Sequence, residues 1–181
     1  MAIIIGNKPD SDFTDPIGML ADCHRRIEKF LDVLMTLASG AQGGALTDEQ
    51  RAAVETSLRY FKESAPKHTA DEEESLFPRM RASQHPEANQ TLPDLDHLHT
   101  DHVQVNENHR VMDELFRQWL ANGFLPSPEI TRLTSLLHSL KETYTRHIKE
   151  EESQIFPAAA RILTTTDLRD VGLEMAKRRS L

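Results

Sequence analysis

One phrase occurs twice in this chain, and it restricts the fold more than any other feature. Residues 68–78 read His-Thr-Ala-Asp-Glu-Glu-Glu-Ser-Leu-Phe-Pro, and residues 147–157 read His-Ile-Lys-Glu-Glu-Glu-Ser-Gln-Ile-Phe-Pro. Superposed without a gap, His68 matches His147, Glu72 matches Glu151, Glu73 matches Glu152, and Phe77-Pro78 matches Phe156-Pro157. A histidine and a glutamate four positions apart stand one above the other on a helix face, roughly 6 Å apart along the axis. An imidazole and a carboxylate so placed can grip one metal ion. An isolated His-x-x-x-Glu is usually an exposed helix pair. Surface decoration, however, gives no reason for the phrase to recur with its Phe-Pro ending. The two copies predict two metals, or one site with two-fold pseudosymmetry.

Helical periodicity surrounds both copies. Asp15-Pro16 reads as an N-cap followed by proline at the first helical position. The stripe Leu20, Ile27, Phe30, Leu31, Leu34 and Leu37 follows, and the run Ser39 to Gly44 closes this first helix. Thr47 with Gln50 forms a capping-box pattern that opens a second helix carrying Val54, Leu58 and Phe61. Pro66 interrupts it and predicts a bend two residues before His68. The second helix is expected to end near Pro78, with a linker over 79–93. A third helix is expected from Asp94 to Asn122-Gly123, and a fourth from Ser127-Pro128 to Pro157. Thr166 and the stripe Leu168, Val171 and Met175 predict a short fifth helix ending in a basic tail. The expected fold is all-α: an antiparallel up-down-up-down four-helix bundle with a short C-terminal helix. The expected divisions are an arm over 1–14, a bundle over 15–163 built from hairpins 15–78 and 94–157, and the last helix over 164–181.

The remaining sequence excludes several function classes. The 181 residues fit one domain with one helical core. With 29 acidic and 21 basic residues, the net charge of −8 argues against nucleic acid as a partner. No run of 18 apolar residues offers a membrane span, and the N-terminus lacks the basic start of a signal peptide. Cys23 stands alone, so neither an intramolecular disulfide nor a cysteine-rich zinc site is available. A cytoplasmic protein is expected, with Cys23 packed in a helix interface.

The repeat predicts that the first and third helices also supply ligands. On the first, His24 is the one histidine, and it lies on the apolar side three residues before Ile27. The third offers His97, His99, His102 and His109, of which His102 and His109 are the candidates. Similarity of local phrase, His-Arg-Val-Met-Asp-Glu-Leu-Phe against His-Arg-Arg-Ile-Glu-Lys-Phe-Leu, favours His109. Hairpin geometry favours His102, because His102 to Asn122 and Ser127 to His147 are both 20 residues. His109 would sit seven residues, about 10 Å, off level. The separation of His24 from His102 is 78, close to the 79 relating the two phrases. Axial level matters more for bonds near 2 Å, so His102 is preferred, with His109 a neighbouring or core histidine. Glu73 and Glu152 point about 100° away from Glu72 and Glu151 and are expected to face solvent.

The pattern His24, His68-x-x-x-Glu72, His102, His147-x-x-x-Glu151 on four helices, with its Phe-Pro endings, resembles the hemerythrin-like (HHE cation-binding) family over roughly residues 16–157. The resemblance implies a non-haem di-iron centre inside the bundle. His24 and His68 would bind one iron, His102 and His147 the other, and Glu72 and Glu151 would bridge them. An oxo, hydroxo or solvent bridge, or a small ligand such as oxygen, would fill the open positions. Manganese or zinc could substitute, since imidazole and carboxylate suit all three metals. Oxygen-carrying animal members have a further histidine four positions after the one on the third helix. That position here is Asn106, so this set has six ligands rather than seven. The resemblance leaves two readings: a protein that binds or senses oxygen, iron or a related small ligand, and an oxidoreductase acting on oxygen, peroxide or nitric oxide or donating iron in cluster repair.

Overall fold

Local capping chemistry sets where three of the described helices start. The computed structural model describes residues 11–181, so the expected N-terminal arm lies outside the described residues up to position 10. Helix α1 (Pro16–Ala41) starts where Asp15 accepts from the Gly18 amide at 3.0 Å. Helix α2 (Asp48–Glu63) opens with the reciprocal Thr47–Gln50 capping box. It breaks at Ser64, and α3 (Ala65–Asp71) resumes with Pro66 in its first turn. Proline has no N–H to give to the preceding turn, which is why the break falls there.

The expected ends at Pro78 and Pro157 are not observed. In each case the chain makes one π-helical turn, Glu72–Leu76 or Glu151–Ile155, and continues as α4 (Phe77–Ala82) or α7 (Phe156–Ile162). The amides of Phe77 and Phe156 bond to the carbonyls of Glu72 and Glu151, five residues back. The wider turn admits a proline whose ring and missing N–H would have stopped a regular α-helix. Helix α5 (Ala88–Asn122) starts six residues before the expected Asp94, which shortens the linker. Its early turns bury Ala88, Leu95 and Leu98, and that burial outweighs the cost of Pro93 inside the helix. Helix α6 (Ser127–Glu150) leads into the second π turn, and α8 (Thr165–Arg178) is capped by Thr164 rather than Thr166, through a Thr164–Asp167 box.

Together these elements form a helical bundle, with no strand among the described residues. The α1, α2, α5 and α6 segments pack in the pairs α1–α2, α2–α5, α5–α6 and α6–α1. Turns 42–47 and 123–126 meet at one end, where the Leu125 amide bonds the Gly43 carbonyl at 2.8 Å and Trp119 Nε1 donates to the Gly44 carbonyl. Gly43 has φ +80°, and a Cβ there would lie 2.3 Å from the Leu125 oxygen, so the position requires glycine.

The apolar interior is two clusters. One contains Ile27, Leu31, Leu58, Val105, Phe116, Trp119, Leu137 and Ile148. The other contains Leu20, Leu76, Phe77, Leu98, Ile155, Phe156 and Met175. Between Leu20 and Ile27, α1 carries buried His24; between Leu98 and Val105, α5 carries buried His102. The same order, reversed, runs from Ala65 through His68 and Glu72 to Leu76, and from Ile148 past Glu151 to Ile155. Direction alternates from helix to helix, as an up-down-up-down order requires, and a polar layer crosses all four. No described helix is long and apolar enough to cross a membrane.

Candidate metal centre

The polar layer brings together the six residues singled out by spacing. His24, His68, Glu72 and Glu151 form one group, and Glu72, His102, His147 and Glu151 form another. In each, the nearest ligand atoms lie within 4.8 Å of one another, and every member is buried. Both glutamates are common to the two groups. Each π turn starts at its glutamate, one turn after the histidine of the same phrase.

Each carboxylate points one oxygen at each histidine pair. Glu72 Oε1 is 3.4 Å from His68 Nε2 and 3.9 Å from His24 Nε2, while its Oε2 is 3.4 Å from His102 Nε2. Glu151 Oε1 is 3.1 Å from His147 Nε2, and its Oε2 is 3.0 Å from His24 Nε2. None of these four oxygens, nor His24 Nε2, has an aligned hydrogen-bond partner. Buried polar atoms are seldom left unpaired in a native fold. Six side chains converge here, with both carboxylates and His24 Nε2 unsatisfied, and together they form a nitrogen and oxygen donor set that suits iron, manganese or zinc. The donor set therefore fits a pair of cations.

The expectation that Glu73 and Glu152 face solvent holds in part: Glu152 is exposed and Glu73 is half-buried, yet each also reaches a clustered histidine. Glu73 Oε1 lies 2.7 Å from His102 Nδ1 and its Oε2 3.0 Å from His99 Nδ1, and Glu152 Oε1 lies 2.9 Å from His24 Nδ1. The π turn advances each residue by less than a regular turn, and the histidines on α1 and α5 approach from the side. Asp101 does the same for His147 at 3.3 Å and is held by Arg146 at 2.8 Å. A carboxylate on Nδ1 fixes the ring and leaves Nε2 toward the centre. Only His68 Nδ1, of these four rings, lacks such a partner among the described residues. The repeat explains this asymmetry: with His24 laid on His102, Cys23 falls where Asp101 stands. Cys23 is buried, as expected, and burial raises its thiol.

Burial disfavours the charged form of every group here, and neighbours decide the outcome. At His24 burial is outweighed by Glu151, Glu72 and Glu152, which raise it to about 9. At His102 it is outweighed by Glu72, Glu73 and Glu151, which raise it to about 10, and Glu151 also raises His147. At His68 burial dominates, with help from His24, and the value falls well below the ordinary one. Burial and the charge of Glu151 push Glu72 up to about 7, whereas His147 and His24 overcome burial and hold Glu151 well down. The layer thus attracts positive charge, and a metal cation must displace protons to enter.

His109 stays out of the cluster. Its Nε2 is 2.7 Å from the Tyr144 hydroxyl, its ring stacks on Phe61, and its Nδ1 is buried without a partner. Burial lowers it to about 4. An enclosed cavity of about 30 Å³, room for about two waters, lies against all four clustered histidines and is also lined by His109, Tyr144 and Asn106.

Two comparisons bear on this arrangement. An uncharacterized protein of Haemophilus influenzae is 27% identical over 169 residues, spanning 93% of this chain and 92% of the relative. The family model for the hemerythrin HHE cation binding domain matches residues 15–159, a stretch that contains all six clustered residues and both π turns. By that match, the chain belongs to the hemerythrin HHE cation-binding domain family.

Proposed function

We propose that the chain holds two iron ions and uses them to bind or sense a small ligand such as oxygen. His24 and His68 hold one ion, His102 and His147 hold the other, and Glu72 and Glu151 bridge both; manganese or zinc can substitute. The observation that carries this reading is the aim of the two shared carboxylates, one oxygen toward each histidine pair. Charge supports it as well. Glu72, Glu151, Glu73, Glu152 and Asp101 would balance two divalent cations, with Arg146 offsetting the fifth carboxylate.

When bound, the metal pair supplies open coordination positions and a change of oxidation state. The protein's own residues do the rest. Glu73, Glu152 and Asp101 fix three imidazoles through Nδ1, the apolar clusters on either side keep bulk water from the layer, and the cavity admits only a molecule of a few atoms. The Tyr144 hydroxyl favours a second reading, a centre that reduces oxygen, peroxide or nitric oxide. Burial raises Tyr144, so its hydroxyl stays neutral beside the cavity, where it can donate a hydrogen bond to a bound ligand.

Metal analysis tests the proposal. Protein reconstituted anaerobically with ferrous iron should carry close to two ions per chain, and Glu72→Ala and Glu151→Ala should each lose both. His102→Ala should lose the ion shared with His147, whereas His109→Ala should keep two. A wild-type content of zero would overturn the di-iron reading.

A further inference from the structure

The enclosed cavity shares a wall with an open cleft. A surface cleft of about 340 Å³ lies between α2 and α5, with Leu58 on its floor and Lys62 and Arg110 exposed along it. Phe61, Pro66, Asn106 and His109 line both the cleft and the cavity against the four clustered histidines. These four side chains are the partition between solvent and centre. It falls at the helix break, where Pro66 interrupts the backbone ladder after Ser64.

His109 is the movable part of that partition. Phe61 is buried in the core, Pro66 is tied into the backbone, and Asn106 is exposed on the cleft side. The His109 ring is held by two residues, Tyr144 through the hydrogen bond at 2.7 Å and a tilted ring contact, and Phe61 through a stack with centroids 4.5 Å apart. Its Nδ1 is buried and holds nothing. Rotation about the Cα–Cβ bond breaks these contacts without disturbing α5.

We propose that the small ligand of the centre, a neutral or singly charged molecule of two or three atoms, enters through this partition with His109 as its gate. The destination rests on the di-metal reading above, whereas the passage belongs to the walls alone. A gate changes how fast a ligand enters and leaves and leaves its equilibrium affinity alone; a residue that touches the bound ligand changes the affinity.

Stopped-flow binding of azide to the iron-loaded protein separates these cases. His109→Ala should speed association and dissociation together by about tenfold, the barrier share of one buried hydrogen bond, with dissociation constant and iron content unchanged. Asn106→Trp, which fills the mouth from an exposed position, should slow both by about the same factor. Rates within about a factor of two of wild type in both variants, or an affinity change without a change in association rate, would overturn the proposal. A second measurement needs no metal. Under xenon pressure, amide resonances of cavity-lining Ile27, Val105 and Ile148 should shift in the protein as purified, and their exchange should quicken in His109→Ala and slow in Asn106→Trp. Xenon exchange that follows the variants while iron fails to bind would keep the passage and discard the di-metal reading. Xenon exchange indifferent to both variants would discard the passage.

Discussion

Replacing Glu73 by alanine tests how far the carboxylates behind the histidines tune the centre. Glu73 is 23% exposed, and its two oxygens take the Nδ1 atoms of His102 at 2.7 Å and His99 at 3.0 Å. The bonds to His102 and His99 overcome burial and lower its own value, so it is charged at neutral pH. Removing it takes a charge-assisted bond from the His102 ring, which is then free to rotate or to present the wrong nitrogen. Partners of this kind change metal affinity by about 10–100-fold, roughly 1.4–2.7 kcal/mol. The loss should fall on the ion held by His102 and His147. Glu152→Ala should weaken the other ion by a similar factor, because Glu152 serves His24. Competition titration of zinc against a chromophoric chelator resolves two dissociation constants, and each variant should move one of them. Glu55→Ala, an exposed position on α2, is the control and should move neither. Two unchanged constants in Glu73→Ala, or equal weakening of both, would refute the argument that these carboxylates act through individual imidazoles.

Acid stability should report on His109. The unfolded chain takes up a proton below about 6.5 and the folded ring resists until about 4, so stability present above pH 6.5 is lost as pH falls toward 4. That gap corresponds to roughly 3 kcal/mol, and urea titrations of His109→Phe should show a shallower loss than wild type across this window. Asp71→Ala removes a fully buried carboxylate that receives Arg178 at 2.9 Å and Arg179 at 2.7 Å; it should cost about 3 kcal/mol and expose residues 164–181 to limited proteolysis. Gly43→Ala places a side chain at φ +80° against the Leu125 oxygen and should lower stability by about 2 kcal/mol, measured by thermal melting. It should leave metal content intact, since His24 lies 17 residues, roughly 25 Å of helix, before the α1 end at Ala41, which Gly43 follows.

Features fixed by near neighbours were legible in the sequence. Asp15-Pro16 and the Thr47–Gln50 box act within one turn, and the helices begin there. His102 was separated from His109 by level along a hairpin, which a short turn makes a matter of counting. Features set by other helices were not legible. Pro78 and Pro157 read as terminators because a π turn leaves no mark in local propensity. That Glu73 and Glu152 also hold imidazoles was not legible, because their partners, His102 and His24, arrive from α5 and α1. The unpartnered Nδ1 of His68 did have a sequence correlate, Cys23 opposite Asp101 in the repeat, but its meaning depends on knowing that Asp101 reaches His147.

The polar layer has a consequence for how the protein comes apart. Each of the four helical segments, with α2 continued by α3 and its π turn, passes from one apolar cluster through this layer to the other, so the bundle is two small cores sharing four struts. Cooperativity between them must pass through the joint. With cations bridging all four helices, the cores are cross-linked and should melt in one sharp transition. With Glu72→Ala at the joint, the end held by the Gly43–Leu125 contact and the end closed by α8 lose their common fastening. Calorimetry should then record a broader transition whose van't Hoff enthalpy falls below the calorimetric one. On the di-metal reading, the metals would set the size of the cooperative unit.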